Sequence, residues 1–441
     1  MWDQIQADAN LISGARAVLT RLHDAGFQAY LVGGCVRDAL LSKPIHDVDI
    51  ATSALPAEVT SIFERTIPTG MQHGTVTVMV DQYPFEVTTF RQESGYEHFR
   101  RPKEVSFIHD LEGDLLRRDF TFNAMAMDID GHLIDPYDGQ NDLDKGIVRC
   151  VGDADARFQE DALRMIRCVR FAACYDFQVD PSTWAALRIH RTKLQYIAME
   201  RVRAEMDKMI DLSLYSAIRG MSLMQESRLL EFTKVMIHDQ WNLEDHTLYQ
   251  VVEQEQDRLE HWDKHADVAV RWGLLFYRSH TNPEQAQSIM QKLTFPNRKN
   301  TEIVELLQLH AYLHSIVIGN KEEDVKPSWV RGVLTFGKDA ALRWLHMMEG
   351  DELFQSPHQQ QASPIFTQLR KHGERWLSEL HVLKISDLDI KGHDILKHQK
   401  KKAGPWLGEL LQHLLYQVAM GQVDNDRHEL LEEASQVINN E

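Results

Sequence analysis

The apolar residues of this 441-residue chain change period near position 150, and no other feature restricts its fold so strongly. Before that point, strand-like and helix-like segments alternate. After it, apolar residues recur every three to four positions, the spacing of one helix face. "QAYLVGG", "HDVDIAT", "GTVTVMV" and "YPFEVTTF" have β-branched or alternating patterns, and the last two, joined by "DQ", predict a hairpin. "ANLISGARAVLTRLHDAGF" predicts a helix stopping at Gly26, and "PAEVTSIFE" one that starts with Pro56 in its first turn. "RQESGYEHFRRPKEVSF" is polar and patternless, which predicts a mobile loop. Residues 156–175, 200–210, 246–260, 301–318 and 406–420 all carry helical periodicity, broken at "FPNRKN" and "KKKAGPWLG". The fold class expected is α+β: a small mixed sheet with helices over 1–145, then an all-α remainder.

Composition narrows the function. The chain has 48 Lys and Arg against 66 Asp and Glu, a formal charge of −18, and 43% hydrophobic residues, as in ordinary soluble globular proteins. No apolar run approaches the roughly 20 residues of a membrane span. "MWDQIQADANLISGA" lacks a leader pattern, so no membrane association and a cytoplasmic location are expected. Cys35, Cys150, Cys168 and Cys174 show no C-x-x-C or zinc spacing and are expected as reduced thiols. The acidic total does not exclude a nucleic-acid partner, because local patches decide binding. Residues 151–210 hold ten Lys and Arg against nine Asp and Glu, near neutral within an acidic chain.

Several motifs carry chemistry. In "HDVDIAT" a strand places Asp47 and Asp49 on one face and Val48 and Ile50 on the other. Two adjacent carboxylates repel unless a cation lies between them, and magnesium favours such oxygen ligands together with phosphates; a half-exposed strand with two surface acids is the plainer alternative. "LVGGCVRDAL" puts Gly34 and Arg37 where a strand runs into a helix, a place for phosphate or simply a tight turn. Glu86 in "FEVTTFR" is a candidate third carboxylate. In "LLRRDFTFNAMAMD", Arg118 is placed to clamp phosphates, and Asp119 and Asn123 to hold a ribose; a salt-bridged helix start is the alternative. "EDALRMIRCVRF" predicts one helix with Asp161, Arg164, Arg167 and Arg170 among apolar residues. Asp161 and Arg164, three apart, would be neighbours on its face, as a ligand-binding pair or an ordinary ion pair. "IHD" and "GHD" lack a further His/Asp cluster, so no metal phosphohydrolase is expected. "KHQKKKAGPW" is the most basic short run, either a phosphate contact or a solvated turn.

"VGGCVRD", "HDVDIAT", "HGTVTV", "RRDFTFNAMA" and "EDALRMIRCVRF" follow one another as in class II tRNA nucleotidyltransferases, the bacterial-type CCA-adding enzymes, and the chain resembles that family and its bacterial poly(A) polymerase relatives. The resemblance spans residues 31–171, with "IKGHDIL…AGPWLGELL" similar to the family tail. It implies a polymerase-β-like nucleotidyltransferase head over 1–145, a helical neck over 146–210, a body over 211–325 and a tRNA-binding tail over 326–441. It implies Mg2+ on Asp47 and Asp49, and nucleotide contacts from Gly34, Arg37, Arg118, Asp161, Arg164, Arg167 and Arg170. The implied partners are tRNA, ATP and CTP; oligomeric state, including a homodimer, stays open. The implied reaction is attack of an RNA 3′-hydroxyl on the α-phosphate of CTP or ATP, adding C, C and A and releasing pyrophosphate. The polar segment near residues 93–107 occupies the place of the family's flexible loop, with His98 where many relatives carry Asp. Enzymes adding only A, poly(A) polymerases and an inactive RNA-binding protein are the alternatives. Poly(A) polymerases usually extend into a longer basic C-terminus, whereas this sequence closes on the acidic "RHELLEEASQVINNE".

Overall fold

The computed structural model describes residues 2, 5–97, 99, 101–237, 262–318, 325–353, 364–399 and 402–440. The expected helix at 246–260, the "HD" of "IHD", His98 and the centre of the basic run, Lys400 and Lys401, lie outside the described residues. The chain forms two compact units. One comprises 1–212 and 219–237, the other 213–218 and 238–441.

In the first unit, strands β1 (Ala29–Val32), β2 (Asp49–Thr52), β3 (Thr66–Gly70), β4 (Thr75–Val80) and β5 (Tyr83–Thr89) join two short strands farther along the chain in a seven-stranded sheet. A separate hairpin consists of β6 (Arg91–Glu97) and β7 (Arg101–Phe107). The two short strands are β8 (Ala126–Met127) and β9 (Leu133–Ile134), and the sheet order is β3-β4-β5-β2-β1-β8-β9. Only β2 and β5 run parallel, so the sheet is mixed as expected. Helices α1 (Ala9–Asp24) and α3 (Pro56–Ile62) cover one face, with α2 (Gly34–Leu40) between them in sequence. On that face Val76, Val78, Phe85 and Val87 alternate inward and meet the apolar side of α1, Leu11, Ala15, Val18, Leu19 and Leu22. The contact is close enough to need glycine: a Cβ on Gly14 would stand 2.7 Å from the Phe85 ring.

The opposite face is only partly covered. Helix α4 (Leu111–Leu116) brings Leu111 and Leu115 onto Val32, Ala51, Phe90, Ala124 and Ala126. Beyond it, towards β5, β4 and β3, Glu86, Ile67 and Thr69 are exposed. Helices α5 (Gly139–Asp144), α6 (Ala154–Glu160), α7 (Leu163–Tyr175), α8 (Pro181–His190) and α9 (Met199–Leu212) complete the elements that frame the site.

Two expectations are corrected. Within the segment expected as an irregular loop, Arg91–Glu97 and Arg101–Phe107 pair as a hairpin, with Arg91 opposite Phe107 and Glu93 opposite Val105. Backbone ladder bonds do not depend on apolar alternation, so a polar strand of this kind leaves little trace in sequence. "EDALRMIRCVRF" is not one helix. α6 ends at Glu160, Asp161 is extended (φ −135°, ψ 108°), and α7 starts at Leu163. The break is held by Asp161 itself, whose Oδ1 accepts the Leu163 N–H at 2.9 Å, as a capping side chain does. Asp161 and Arg164 are therefore not neighbours on a helix face.

In the second unit the helices Val268–Arg278, Pro283–Lys292, Asn297–Ile318, Val325–Phe336, Lys338–Leu353 and Pro364–Ser378 enclose fully buried Trp272, Trp329, Trp344 and Phe276. His310 lies among them as a core residue: its Nδ1 accepts the Trp344 Nε1–H, and burial, aided by His314, pushes its pKa down to about 4. A neutral imidazole satisfies the indole there, as a buried polar group requires. The helices Gly392–Gln399, Pro405–Ala419 and Arg427–Asn440 pack on a separate apolar cluster that includes Ile395, Leu414 and Leu430. In "GHD", Asp394 pairs with Arg427 across this cluster.

Candidate nucleotide-binding site

Within the first unit a cleft of about 600 Å³ is lined by Gly33, Gly34, Arg37, Asp49, Arg117, Arg118, Asp119, Asn123, Asp161, Arg164, Arg167, Arg170, Arg201 and Glu205. Of the candidate residues named from sequence, Asp47 and Glu86 are not among the lining groups. They stand beside Asp49 on the exposed rim, Asp47 two residues before it and Glu86 as its register partner on β5.

The floor is the turn from β1 into α2. Gly33 caps α2 at φ 75°, a left-handed conformation, and a Cβ there would stand 3.0 Å from Arg118 Nη1. Both conditions demand glycine. Arg37 projects from the first turns of α2 and is buried. It donates to both oxygens of Asp38 at 2.9 and 2.8 Å and to Asn123 Oδ1 at 2.7 Å. Its guanidinium lies 4.9 Å from the Tyr175 ring centre, and the Tyr175 hydroxyl donates to Asp38. The Asn123 amide in turn donates to Asp119 at 3.0 Å. Asp119 and Asn123 thus line the cleft, and their polar atoms also hold Arg37 and Arg167.

The roof at the Asp49 end is arginine, Arg117 and Arg118. Buried Asp114 accepts from Arg117 Nε at 2.9 Å, from Arg118 Nη2 at 3.1 Å and from the Arg91 amide at 3.2 Å. Arg118 Nε is buried without a hydrogen-bond partner.

Farther in, α7 and α9 present a lattice of paired charges. Arg167 Nε donates to Asp119 at 2.7 Å. Burial opposes the charge on Asp119, but Arg167, the Asn123 amide and Arg164 outweigh it, and the carboxyl is held well below the ordinary carboxylate range. Arg170 pairs with Glu205, which also accepts from Lys208 at 3.1 Å. Arg164 donates to Glu160 and to the carbonyls of Arg157 and Arg117. Asp161 Oδ2 accepts from Arg201 Nη2 at 3.0 Å. Asp161 and Arg164 therefore both line the cleft, each held by its own partners, on either side of the helix break.

The rim behaves oppositely. Asp49 keeps exposed surface, but the atoms packed around its carboxyl desolvate it, and this, then Glu86 and Asp47, push it up to about 6, with Arg118 opposing. Asp49 and the two carboxylates that oppose its charge are a hard-oxygen donor set fitted to a divalent cation. They are spaced more loosely than Asp128, Asp130 and His132, the group whose ligand atoms lie within 4.8 Å of one another among the described residues; that trio is outside the cleft lining, at the β8–β9 turn.

The hairpin tip reaches this same wall. The Phe99 carbonyl accepts the Ala162 N–H at 3.0 Å, and its ring packs 5.3 Å from Tyr196 with Lys193 above it. The hairpin is thereby tied to the turn that carries Asp161.

Sequence reasoning missed Asp114, Arg117, Glu160, Arg201 and Glu205. Arg201 and Glu205 lie in "ERVRAE", an ordinary solvated helical pattern whose local spacing says nothing of Asp161, forty positions earlier.

Residues 29–149 match the family model described as Poly A polymerase head domain, 176–235 that of the probable RNA and SrmB-binding site of polymerase A, and 264–434 that of tRNA nucleotidyltransferase domain 2, putative. The chain is 49% identical over 216 residues to the CCA-adding enzyme of Limosilactobacillus fermentum, a stretch covering 49% of this chain and 53% of that one. It is 36% identical over 431 residues to the CCA-adding enzyme of Listeria innocua, covering 94% of this chain and 96% of that one. The crystal structure of the Bacillus stearothermophilus CCA-adding enzyme in complex with CTP matches with a TM-score of 0.77 at 30% identity, over 97% of this chain and 98% of that one. Agreement of this extent in sequence and in fold, along nearly the full length of both chains, establishes that the chain belongs to the CCA-adding enzyme family of nucleotidyltransferases.

Proposed function

We propose that this chain adds C, C and A to the 3′ end of tRNA from CTP and ATP, with release of pyrophosphate. The observation that carries the reading is a cleft with Asp49 at one end, flanked on the rim by Asp47 and Glu86, arginines along its length, and Asp161 and Arg164 within it. Asp47 and Asp49, with Glu86 beside them, would hold Mg2+. Bound there, the cation supplies a Lewis acid that eases ionisation of the RNA 3′-hydroxyl and offsets charge on the leaving pyrophosphate.

The side chains supply the rest. Gly33 and Gly34 let the triphosphate approach the backbone closely, and the guanidinium groups of Arg118 and Arg37, which line the cleft beside them, offset its charge. Asp119 and Asn123 face the ribose and brace Arg167 and Arg37. Cytosine and adenine both present an exocyclic amine beside a ring-nitrogen acceptor. Uracil and guanine present a carbonyl beside a ring N–H. A carboxylate only accepts and a guanidinium only donates. Asp161 facing the amine and Arg164 facing the ring nitrogen would thus take C or A and refuse U or G. Unpaired polar groups buried by a wrong base cost about 1–3 kcal/mol each. Asp161 has acceptor capacity beyond its bonds to Leu163 and Arg201, since an ionised carboxylate offers about four lone-pair sites. Arg167 and Arg170 line the nucleotide pocket as well as bracing it.

The division into head (1–145), neck (146–210), body (211–325) and tail (326–441), with tRNA contacts in the tail, belongs to the same proposal, as does a cytoplasmic location. Among the described residues no helix is long and apolar enough to cross a membrane. The test is incubation with tRNA lacking CCA and with CTP alone, ATP alone or both. Growth by three nucleotides only with both supports the reading. Addition of A solely to tRNA ending in CC, an ATP-only tail of variable length, or no growth would replace it with an A-adding enzyme, a poly(A) polymerase or a binding protein respectively.

A further inference from the structure

We propose that the uncovered face of the sheet beyond Glu86, on β4 and β3, seats the 3′-terminal nucleotide of the RNA acceptor; this rests on the nucleotidyl-transfer reading above. Cross-strand register makes the face continuous. Asp49 pairs with Glu86, Glu86 with Thr77, and Thr77 with Ile67. Paired residues point to the same side of a sheet, so these four share the face of the rim carboxylates. Thr75 and Thr88, one step along, lie on it as well, with their hydroxyls 3.0 Å apart. Thr69 joins it through a 2.9 Å hydroxyl contact with Thr77. The opposite side of the same strands is spent in the core, as Val76, Val78, Phe85 and Val87 are buried. Ile67 is 49% exposed and Phe107, packed against Gly74, is 42% exposed.

In-line displacement tells which end of the acceptor belongs there. The groups assigned to the triphosphate, Gly33, Gly34, Arg37 and Arg118, lie on the β1 side of Asp49. Attacking and leaving oxygens stand roughly in line across the transferred phosphorus. The hydroxyl must then arrive from the other side of Asp49, over Glu86, where the chain offers the exposed Thr69 and the half-buried Thr75 and Thr88 around a buried Thr77, together with the exposed branched side chain of Ile67. The chemistry suits a terminus whose base changes after each addition. Threonine hydroxyls both donate and accept, so they serve ribose and phosphate oxygens without reading a base. Ile67 offers a base or ribose an apolar contact of the same indifferent kind. A charged template at this position would refuse some of the successive ends.

The test places a photoreactive 4-thiouridine at the 3′ end of tRNA lacking CCA and maps the cross-link on the wild-type chain. Attachment within residues 66–77 is expected. A parallel series measures Ile67→Glu and Thr69→Glu, which set a negative charge against the acceptor phosphate. The expected result is a rise of about tenfold in KM for tRNA with the CTP dissociation constant unchanged, and near wild-type values for Ile67→Val. A cross-link mapping outside 66–77, with KM for tRNA unchanged in both glutamate variants, overturns the inference while leaving the enzymatic reading intact. A wild-type chain that extends no tRNA overturns the reading itself.

Discussion

The sheet rim and the helical wall of one cleft handle charge in opposite ways. At the rim, Asp47 and Glu86 flank Asp49, whose carboxyl is raised to about 6 by desolvation and by these two neighbours. Along the wall, every arginine the sequence singled out has an anion or a carbonyl in reach: Arg164 has Glu160, Arg167 has Asp119 and Arg170 has Glu205. On the proposed reading a cation would supply the positive charge that the rim lacks. The wall is complete in the free protein. One region is thus built to capture a ligand and the other to keep its geometry while the ligand changes, as preorganised recognition requires.

The contrast can be broken at the rim first. Asp49→Asn is expected to lower the rate of C addition by about three orders of magnitude, since a cation site missing a ligand forfeits several kcal/mol of charge stabilisation. CTP binding, held by the arginines, should change far less. Rapid-quench kinetics beside equilibrium dialysis measures both, and an equal loss in both would mean that rim and cleft act as one site.

The wall is tested by Glu205→Gln. Removing the anion leaves Arg170, whose side chain is 11% exposed, without its carboxylate partner, a loss of about 3 kcal/mol in unfolding free energy. The pH dependence has a definite sign. Burial raises the Glu205 pKa, but Arg170, Arg167 and Lys208 outweigh it and hold the group below its ordinary 4.5. Its contribution is therefore complete above about pH 4.5 and is lost as pH falls through the lower folded value. Urea unfolding at pH 7 and from pH 5 to 3 should show that the variant loses less stability on acidification than the wild type. A parallel acid limb in the two proteins would contradict the assignment.

Smaller effects sharpen the picture. Arg201→Ala removes the partner of Asp161 Oδ2 and is expected to reduce the preference for CTP over UTP by about tenfold, with most of the kcat for CTP retained. A matched drop in kcat with selectivity intact would make Arg201 a structural brace alone. Phe99→Ala frees the ring from Tyr196 while keeping the backbone bond to Ala162. A change of about threefold in the ratio of A to C addition is expected, read from single-turnover assays; an unchanged ratio would detach the hairpin from base choice.

The sequence made some of this legible and concealed the rest. The alternation of Asp47, Val48, Asp49 and Ile50 reports which side of β2 faces out, and the structure has the valine and isoleucine buried and the acids exposed. The glycine turn after β1 was equally plain. The pattern of "EDALRMIRCVRF" misled, because apolar residues on both sides of Asp161 continue a helical period across a real break. The hairpin at 91–107 was hidden by its polarity. Asp119 was assigned from its motif, yet its bonds to Arg167 and Asn123 lie on a different element.

Period and turn chemistry are properties of neighbouring residues, governed by backbone geometry, so the sequence by itself determined an α/β head, a helical remainder and the outward-facing carboxylates of β2. Which charge meets which is a matter of distances of a few ångströms between elements tens of residues apart. Only the tertiary structure decided that Arg201 holds Asp161, that Glu205 holds Arg170, and that the hairpin tip rests on the turn between α6 and α7.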